Sequence, residues 1–144
     1  MTTQILPAVA AAIFNQQGEI LLQRRKDVGQ WCIISGHVEF GETVEHAILR
    51  EIKEETDTDA EITRFIGVYS TPESQTYRYA DRTVQYITSY FEVRLQSNIP
   101  AGFSNGETHE LRFFATAEIP ADMALINEHW LSDALDKNKV VFLR

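Results

Sequence analysis

The sequence predicts an α/β protein in which β-strands and α-helices alternate along one domain. The chain has 144 residues, enough for one domain with a packed core and too few for two domains of ordinary size. Hydrophobic residues make up 44% of it and charged residues 24%, which is the composition of a globular protein. Segments with strand-like alternation are interspersed with segments of helical spacing, and this order favours an α/β fold. We therefore expect residues 1–144 to form a single domain.

The first half of the chain predicts three strands and one helix. Strands are expected over residues 8–14 and 19–24, joined in a hairpin by the turn Asn15-Gln16-Gln17-Gly18. A short strand over residues 31–34 leads into a turn framed by Gly36 and Gly41. A helix is expected over about Val44–Thr56, with Thr43 as its N-cap.

The second half predicts further strands and a closing helix. Residues 62–70 and 83–95 are rich in β-branched and aromatic side chains, and the polar, proline-containing residues 71–82 between them predict a loop. Another strand is expected over residues 111–115. An amphipathic helix is expected after Pro120, and residues 140–143 predict a short strand or a docked tail. The closing helix would carry the apolar residues Leu125, Trp130, Leu131 and Ala134.

Acidic side chains lie on the wrong face of the helix expected over Val44–Thr56. At about 100° per residue, an apolar stripe forms along one side of this helix, and three glutamates fall within or beside it. The stripe consists of Val44, Ala47, Ile48 and Ile52, and the glutamates are Glu51, Glu54 and Glu55. Carboxylates thus occupy positions where a core-facing surface is expected.

These glutamates are crowded at an unfavourable end of the helix. Spacings of three and four residues bring like charges together near the C-terminus, where the helix dipole favours cations. Arg50 neutralises only part of this charge. A bound divalent cation compensates better, and hard oxygen donors without a cysteine or histidine cluster favour Mg²⁺ or Mn²⁺. The alternative interpretation is a solvated acidic helix end.

The spacing of these residues resembles a known signature. Gly36, five residues, Glu42, seven residues and then Arg50-Glu51-Ile52-Lys53-Glu54-Glu55 are similar to the Nudix box, which here covers residues 36–58. The resemblance implies the Nudix fold, a mixed β-sheet between α-helices with the box helix packed on it. It also implies a Mg²⁺-dependent hydrolase that cleaves a phosphoanhydride bond of a nucleoside diphosphate derivative, such as a nucleoside triphosphate or a nucleotide sugar like ADP-ribose.

The resemblance also implies roles for individual residues. Glu51, Glu54, Glu55 and the carbonyl group of Gly36 would be the metal ligands, and Arg50 and Glu42 would orient the ligating carboxylates. Many relatives add a carboxylate from a loop outside the box. Glu107, in the segment 105–114, matches that acid best. Nearby Glu110 is equally compatible with a surface position.

The sequence offers two candidates for the residue that activates water. Either Glu54 or Glu107 can act as the general base, because the resemblance does not fix its identity. Hydrolysis of an anhydride needs no imidazole. We therefore expect structural or exposed roles for the histidines near the box and near Glu107, namely His37, His46 and His109.

Three residues outside the box are candidates for substrate binding. Arg24 occupies a position that contacts phosphate in some relatives, although an arginine exposed at the end of a strand is the alternative. Tyr79 and Arg82, together with Tyr77, lie on a predicted loop that can stack on a base or ribose and contact phosphate. Tyrosines that merely cover the core are the alternative.

The sequence departs from the family pattern at two places. Asp57 and Thr58 stand where a glycine and an aliphatic residue are usual, and Ser35 precedes Gly36 without the common Pro-Gly. An aspartate is tolerated at a left-handed helix cap at some cost. These departures motivate a second hypothesis, a nucleotide-sensing Nudix module without turnover. A third hypothesis is a structural domain with an acidic patch.

Charge and cysteine content restrict the partners and the compartment. The formal net charge of −8 argues against polymeric DNA or RNA as partner, whereas a small anionic nucleotide can bind through bridging metal ions. No membrane segment or export signal is expected. The one cysteine, Cys32, is expected to be a buried thiol, and a reducing cytoplasm is the expected compartment. A homodimer is compatible with the family resemblance.

Overall fold

The centre of the protein is a mixed β-sheet of six strands, seen in a computed structural model that describes residues 2–144. Its strands are β1 (Thr2–Ile13), β4 (Ile34–His37), β5 (Ala60–Tyr69), β6 (Thr76–Arg78), β7 (Arg82–Leu95) and β9 (Phe142–Leu143). They follow the order β4-β1-β7-β5-β9, and β6 pairs with β7 beside this path. The pairs β1–β7 and β5–β9 are parallel and the others antiparallel.

A second, three-stranded antiparallel sheet lies against the first. Its order is β3-β2-β8, formed by β3 (Trp31–Cys32), β2 (Ile20–Arg25) and β8 (Thr108–Phe114). Three helices complete the described residues: α1 (Val44–Thr56), the single turn α2 (Pro72–Gln75) and α3 (Trp130–Leu135). None of the helices in residues 2–144 is long and apolar enough to cross a membrane.

Helices cover opposite faces of the central sheet. Val9 and Ile13 of β1 pack in one core cluster with Ile48 of α1. Ala10, which points to the other face of the same strand, packs in a second cluster with Trp130 of α3. Alternation along an extended strand produces this division. The expected mixed sheet between α-helices is therefore confirmed.

The expected hairpin at the start of the chain is confined to its closing turn. Asn15 builds that turn, because its side-chain oxygen accepts hydrogen bonds from the backbone N–H groups of Gln17 and Glu19. Phe14 and Ile20 form a single bridge, after which β1 and β2 enter different sheets. β1 also begins six residues earlier than predicted, because it pairs with β7 along its whole length.

The prediction of one strand over residues 31–34 is wrong in one respect, because these residues are divided between the two sheets. Trp31 pairs with β2, whereas Ile34 pairs with β1. β4 extends through Gly36 to His37, so Gly36 lies in a strand and not at a turn. Gly41 is the glycine of this segment with a positive φ, at 88°. The chain therefore crosses from one sheet to the other just before the box.

Three further predicted elements differ from the structure. Residues 71–82 are not only loop, because Pro72 begins a helical turn and residues 76–78 pair with β7. The closing helix is shorter than expected, and Leu125 lies outside it with 51% of its surface exposed. The strand predicted over residues 111–115 begins earlier, at Thr108.

Helix α1 begins and ends as its sequence predicts. The Thr43 side chain accepts a hydrogen bond from the backbone N–H of His46, which is the N-cap contact. Asp57 adopts the left-handed conformation, with φ 55°, and its N–H donates to the carbonyl of Lys53. The apolar stripe is confirmed, since Ala47, Ile48 and Ile52 are buried. This orientation determines where the glutamates lie.

Candidate active site

The three helix glutamates occupy three different environments. Glu55 is buried, with 6% of its surface exposed. The Glu51 side chain is 14% exposed and the Glu54 side chain 54% exposed. The carboxylates therefore form a gradient from core to solvent along the last two turns of α1, as the helical spacing predicts.

Arg50 is the hub of the carboxylate cluster. Its guanidinium donates two hydrogen bonds to Glu42, at 2.7 and 2.9 Å, and further bonds to Glu51 at 3.0 Å and Glu54 at 3.2 Å. It also donates to the carbonyl oxygen of His37 at 3.0 Å, and Glu39 lies 3.7 Å away. One cation thus faces four carboxylates, which leaves an excess of negative charge.

The protonation equilibria reflect this arrangement. Hydrogen bonds from Arg50 lower the pKa of Glu42 to about 2, and the Glu42 contact raises the pKa of Arg50. The pKa of Glu51 rises to about 7, chiefly because burial disfavours its charged form. The charges of Glu54 and Glu55 add to this rise, and Arg50 opposes it. Arg50 and Glu42 therefore form an ionised pair. The neighbouring Glu51 carboxylate has too little positive charge near it to offset its burial.

The backbone at Gly36 packs directly against the Glu51 side chain. A Cβ atom at position 36 would overlap the Glu51 carboxylate, so the backbone of β4 and this side chain are in contact. The requirement for glycine is steric, because no positive φ is involved at this position. Gly36 also lines the neighbouring cavity and therefore connects the cavity to the carboxylates.

Glu55 is held by residues far away in sequence. The hydroxyl group of Thr108 donates to Glu55 Oε2 at 2.6 Å, and the amide of Asn105 donates to the same oxygen at 3.1 Å. Glu107 lies between these two residues in the chain, and its own side chain is exposed. Among residues 2–144, no hydrogen bond or ion pair joins the Glu107 carboxylate to Glu51, Glu54 or Glu55.

The donor set fits a hard divalent cation. The clustered side chains offer carboxylate oxygens, without sulfur or imidazole, and they carry uncompensated negative charge. No three His, Cys, Asp or Glu side chains of the described chain converge on one point as they stand. Arg50 takes up the facing oxygens of Glu51 and Glu54. The half-exposed Glu54 has the freedom to turn from Arg50 toward an ion.

An aromatic cavity of about 310 Å³ lies beside Gly36. The Tyr86 hydroxyl is 2.8 Å from the Tyr79 hydroxyl and 3.1 Å from His37 Nε2, and the His37 and Tyr86 rings stack. Asn127 and Trp130 also line the cavity. The tyrosines lining the cavity are Tyr69, Tyr77, Tyr79, Tyr86 and Tyr90. Flat walls of this kind suit a planar ring, and the hydroxyl groups supply directional contacts.

The structure places the candidate substrate-binding residues differently from one another. Tyr79 lines the cavity, whereas Arg24 and Arg82 are not among its lining residues. Arg24 donates to the carbonyl of Gly29 at 3.1 Å, and the Arg82 guanidinium lies 5.4 Å from the Tyr79 ring centroid. Arg25 lines the cavity instead of Arg24. Neighbouring residues of a strand face opposite sides, and the sequence contained no signal to choose between them.

The histidines near the box and near Glu107, and the cysteine, lie in structural or exposed positions. His37 contacts Tyr86 at the cavity edge, and His46 and His109 are exposed. Cys32 is half-buried, and its thiol contacts Gln23 at 3.7 Å. Burial raises the pKa of the Cys32 thiol, although the Gln23 contact opposes this. A thiol with a raised pKa is a poor nucleophile.

The departures from the box pattern are accommodated locally. Thr58 is 1% exposed, and its hydroxyl lies 2.6 Å from that of Thr56. Thr56 in turn donates to the carbonyl of Ile52 at 2.7 Å. Two threonines thus satisfy each other where one aliphatic side chain is usual, and Asp57 supplies the left-handed cap. The end of α1 keeps its geometry.

The chain is similar to known proteins over most of its length. The family model described as the NUDIX domain matches residues 5–134. A candidate 8-oxo-dGTP diphosphatase of Bacillus subtilis (strain 168) is 44% identical over 63 residues, and an ADP-ribose pyrophosphatase of Methanocaldococcus jannaschii is 45% identical over 71 residues. These segments cover 44% and 46% of this chain, and 42% of each relative.

A solved structure agrees in fold. The crystal structure of an ADP-ribose pyrophosphatase from Streptococcus suis 89-1591 has a TM-score of 0.75 to this chain. The superposition covers 96% of this chain and 98% of that one, at 21% sequence identity. At this identity the likeness bears on the fold alone.

Proposed function

Because the chain belongs to the Nudix family, we propose that it is a Mg²⁺-dependent hydrolase that cleaves a phosphoanhydride bond of a nucleoside diphosphate derivative. The observation that carries this proposal is the carboxylate cluster of α1, in which one arginine faces four carboxylates next to buried Glu55. The names of the two relatives given above describe enzymes that act on nucleotides with such a bond.

The proposed metal ligands are Glu51, Glu54, Glu55 and the Gly36 carbonyl. When bound, Mg²⁺, or Mn²⁺ in its place, would neutralise charge on the phosphate oxygens and lower the pKa of a bound water. Arg50 and Glu42 hold the carboxylates in place, because their bidentate contact fixes the guanidinium that reaches Glu51 and Glu54.

Two carboxylates remain candidates for the general base. Glu54 is exposed enough to accept a proton from water and lies in the cluster. Glu107 would have to act from the loop before β8, whose backbone is fixed by Asn105. A base must be within hydrogen-bonding reach of the water, directly or through a second water.

The aromatic cavity is the proposed site for the nucleoside part of the substrate. Tyr79, together with Tyr77 and Tyr86, offers ring faces to a base. Arg25 also lines this cavity, where its guanidinium lies 2.9 Å from the carboxylate of Asp27, another lining residue. Arg82 stacks on Tyr79 and would support that ring from outside the cavity. Arg24 contacts Gly29 and would bind phosphate only after leaving that contact.

The test is hydrolysis of a substrate panel with Mg²⁺. The panel contains nucleoside triphosphates, nucleotide sugars including ADP-ribose, and dinucleoside polyphosphates. Glu54→Gln is expected to lower kcat by about 10²- to 10⁴-fold, whether the glutamate binds metal or acts as base. Glu45→Gln is the matched control, because Glu45 is exposed in the first turn of the same helix. Activity that survives both chelation and Glu54→Gln contradicts the mechanism.

The same panel with Glu107→Gln separates the two candidate bases. A fall in kcat with an unchanged Mg²⁺ requirement favours Glu107 as base, and wild-type activity excludes it. Titration calorimetry tests the nucleotide-sensing alternative, which predicts tight nucleotide binding without product. Asp57 gives less support to that alternative than the sequence suggested. Its backbone adopts the left-handed cap conformation that suits the glycine usual at this position.

A further inference from the structure

We propose that Asn105 and Thr108 are positioning residues that set the orientation of the Glu55 carboxylate for metal binding. This inference rests on the proposed function, since it concerns one of the proposed ligands. Both residues lie outside the glutamate-rich helix, at the entry to β8.

Glu55 needs an external partner because of where it lies. It is 6% exposed, and the guanidinium of Arg50, which binds Glu51 and Glu54, makes no hydrogen bond to it. A buried carboxylate without partners is costly. Its partners are the Thr108 hydroxyl at 2.6 Å and the Asn105 amide at 3.1 Å. Both bonds end on Oε2, so Oε1 is the oxygen that they leave for an ion.

The Thr108 contact has the character of a strong bond. Thr108 is 4% exposed, and its hydroxyl also lies 3.3 Å from Oε1 of buried Gln23. A hydroxyl has one proton, and the carboxylate of Glu55 is both nearer and charged, so the proton points to Glu55. Gln23 is itself 4% exposed, so the Thr108 hydroxyl lies in the core.

Asn105 uses the full capacity of its amide group. Its Oδ1 accepts from the backbone N–H groups of Glu107 and Thr108, both at 2.9 Å. Its Nδ2 donates to the backbone carbonyl of Glu54 and to Glu55 Oε2, both at 3.1 Å. An amide has two donors and two acceptor positions, and all four are engaged. One side chain thereby couples the end of α1 to the loop that carries Glu107.

The consequence is that the loop before β8 orients a ligand as well as presenting Glu107. Loss of either bond would free Glu55 to rotate. Removal of a hydrogen-bond partner behind a metal ligand typically weakens metal binding about 10- to 100-fold. The position of α1 on the sheet does not depend on these bonds, because Ala47, Ile48 and Ile52 fix it in the core.

The test is Mn²⁺ binding to the full chain, followed by electron paramagnetic resonance of the free ion. Thr108→Val removes the hydroxyl at nearly constant volume, and Thr108→Ser restores it. Asn105→Asp replaces the two amide donors by an acceptor that repels Glu55. Thr56→Val is the control for general destabilisation, because Thr56 is buried and hydrogen-bonded in the same helix but does not contact the Glu55 carboxylate.

The inference predicts Mn²⁺ dissociation constants at least about tenfold higher for Thr108→Val and Asn105→Asp. Thr108→Ser and Thr56→Val should stay within about twofold of wild type. In hydrolysis assays, high Mg²⁺ should restore most of the rate of Thr108→Val, which a merely structural defect would not allow. Asn105, which is not fully buried, provides the second variant if Thr108→Val does not fold.

The outcomes separate this inference from the proposed function. If wild type binds Mn²⁺ and Glu55→Gln weakens binding, but Thr108→Val and Asn105→Asp bind as wild type, the positioning roles are refuted and the metal site stands. If wild type does not bind Mn²⁺, the metal site and the positioning roles are both refuted. Equal weakening by Thr56→Val would also overturn the inference, because it would trace the effect to stability.

Discussion

Gly36 is a residue of the central sheet that packs directly against the acidic helix. Its α-carbon leaves room for the Glu51 carboxylate, and the same residue lines the aromatic cavity. The box spacing singles out this glycine, and the sequence predicts a turn there. The structure gives a different reason for glycine, because the residue lies in β4 without a positive φ.

Gly36→Ala is expected to lower kcat/KM by about 100-fold. The added methyl group would displace the Glu51 carboxylate, and a shift of about 1 Å in an active site can cost a factor of this size. Steady-state hydrolysis of the best substrate in the panel measures this loss. Gly106→Ala is the matched control, since a Cβ at that position meets no atom within 4 Å and φ is not positive. Wild-type kinetics of Gly36→Ala would show that the contact has no role in the reaction.

Helix α1 combines favourable and unfavourable local features. Thr43 caps its N-terminus, and its apolar stripe packs in the core, as helix physics favours. Its last turn carries Glu54 and Glu55 against the helix dipole and ends in Asp57 with φ 55°. Lys53 lies 3.9 Å from Asp57 and offsets part of the charge. The unfavourable features gather at the end that forms the candidate site.

Asp57→Gly is expected to raise the free energy of unfolding by about 0.5–1 kcal/mol, because glycine adopts the left-handed cap without steric cost. Urea denaturation of the protein without metal measures the change. Asp59→Gly is the comparison, since Asp59 is exposed just beyond the helix and its φ is not positive. A destabilised Asp57→Gly protein would mean that the Lys53 contact outweighs the backbone strain.

At the scale of the whole molecule, one buried carboxylate joins three parts of the chain. Asp133 of α3, 2% exposed, accepts a hydrogen bond from the Tyr69 hydroxyl at 2.5 Å and two from Arg144 at 2.9 and 2.8 Å. Arg144 also bonds through its backbone to Val68 and Ser70 at the end of β5. Tyr69 lines the cavity, so these bonds fix one of its walls.

This network gives stability a predictable dependence on pH. Burial alone would raise the pKa of Asp133, but hydrogen bonds from Arg144 and Tyr69 outweigh it and lower the pKa below its ordinary value of 3.8. A carboxyl group whose pKa is lowered by folding stabilises the protein above the unfolded pKa. That contribution is lost as the pH falls from about 5 through the lowered pKa.

Asp133→Asn is expected to lower the free energy of unfolding at pH 7, because it removes the charge to which Arg144 and Tyr69 donate their hydrogen bonds. The difference from wild type should shrink as the pH falls below about 5, since the wild-type contribution is then lost. Urea denaturation at pH 7, 5, 4 and 3 measures both effects. Asp122→Asn, at an exposed aspartate, should cost little at every pH. A difference that is constant with pH would show that the Asp133 charge is not involved.

The sequence by itself determined the features that depend on short spacings. Helix α1, its Thr43 and Asp57 caps, its apolar stripe and the crowding of Glu51, Glu54 and Glu55 all follow from a period of 3.6 residues and from cap preferences. Most strands followed from alternation, with ends displaced by several residues. The family resemblance added the mixed sheet between helices.

Only the tertiary structure decided the features that depend on pairing between distant segments. The strand over residues 31–34 was divided between two sheets because each half found a different partner strand. Arg25 rather than Arg24 reached the cavity because the strand presents adjacent residues to opposite sides. Glu55 met Asn105 and Thr108 because β8 enters beside the end of α1. The two contacts of Glu55 join residues 50 and 53 positions apart, and no local pattern encodes them.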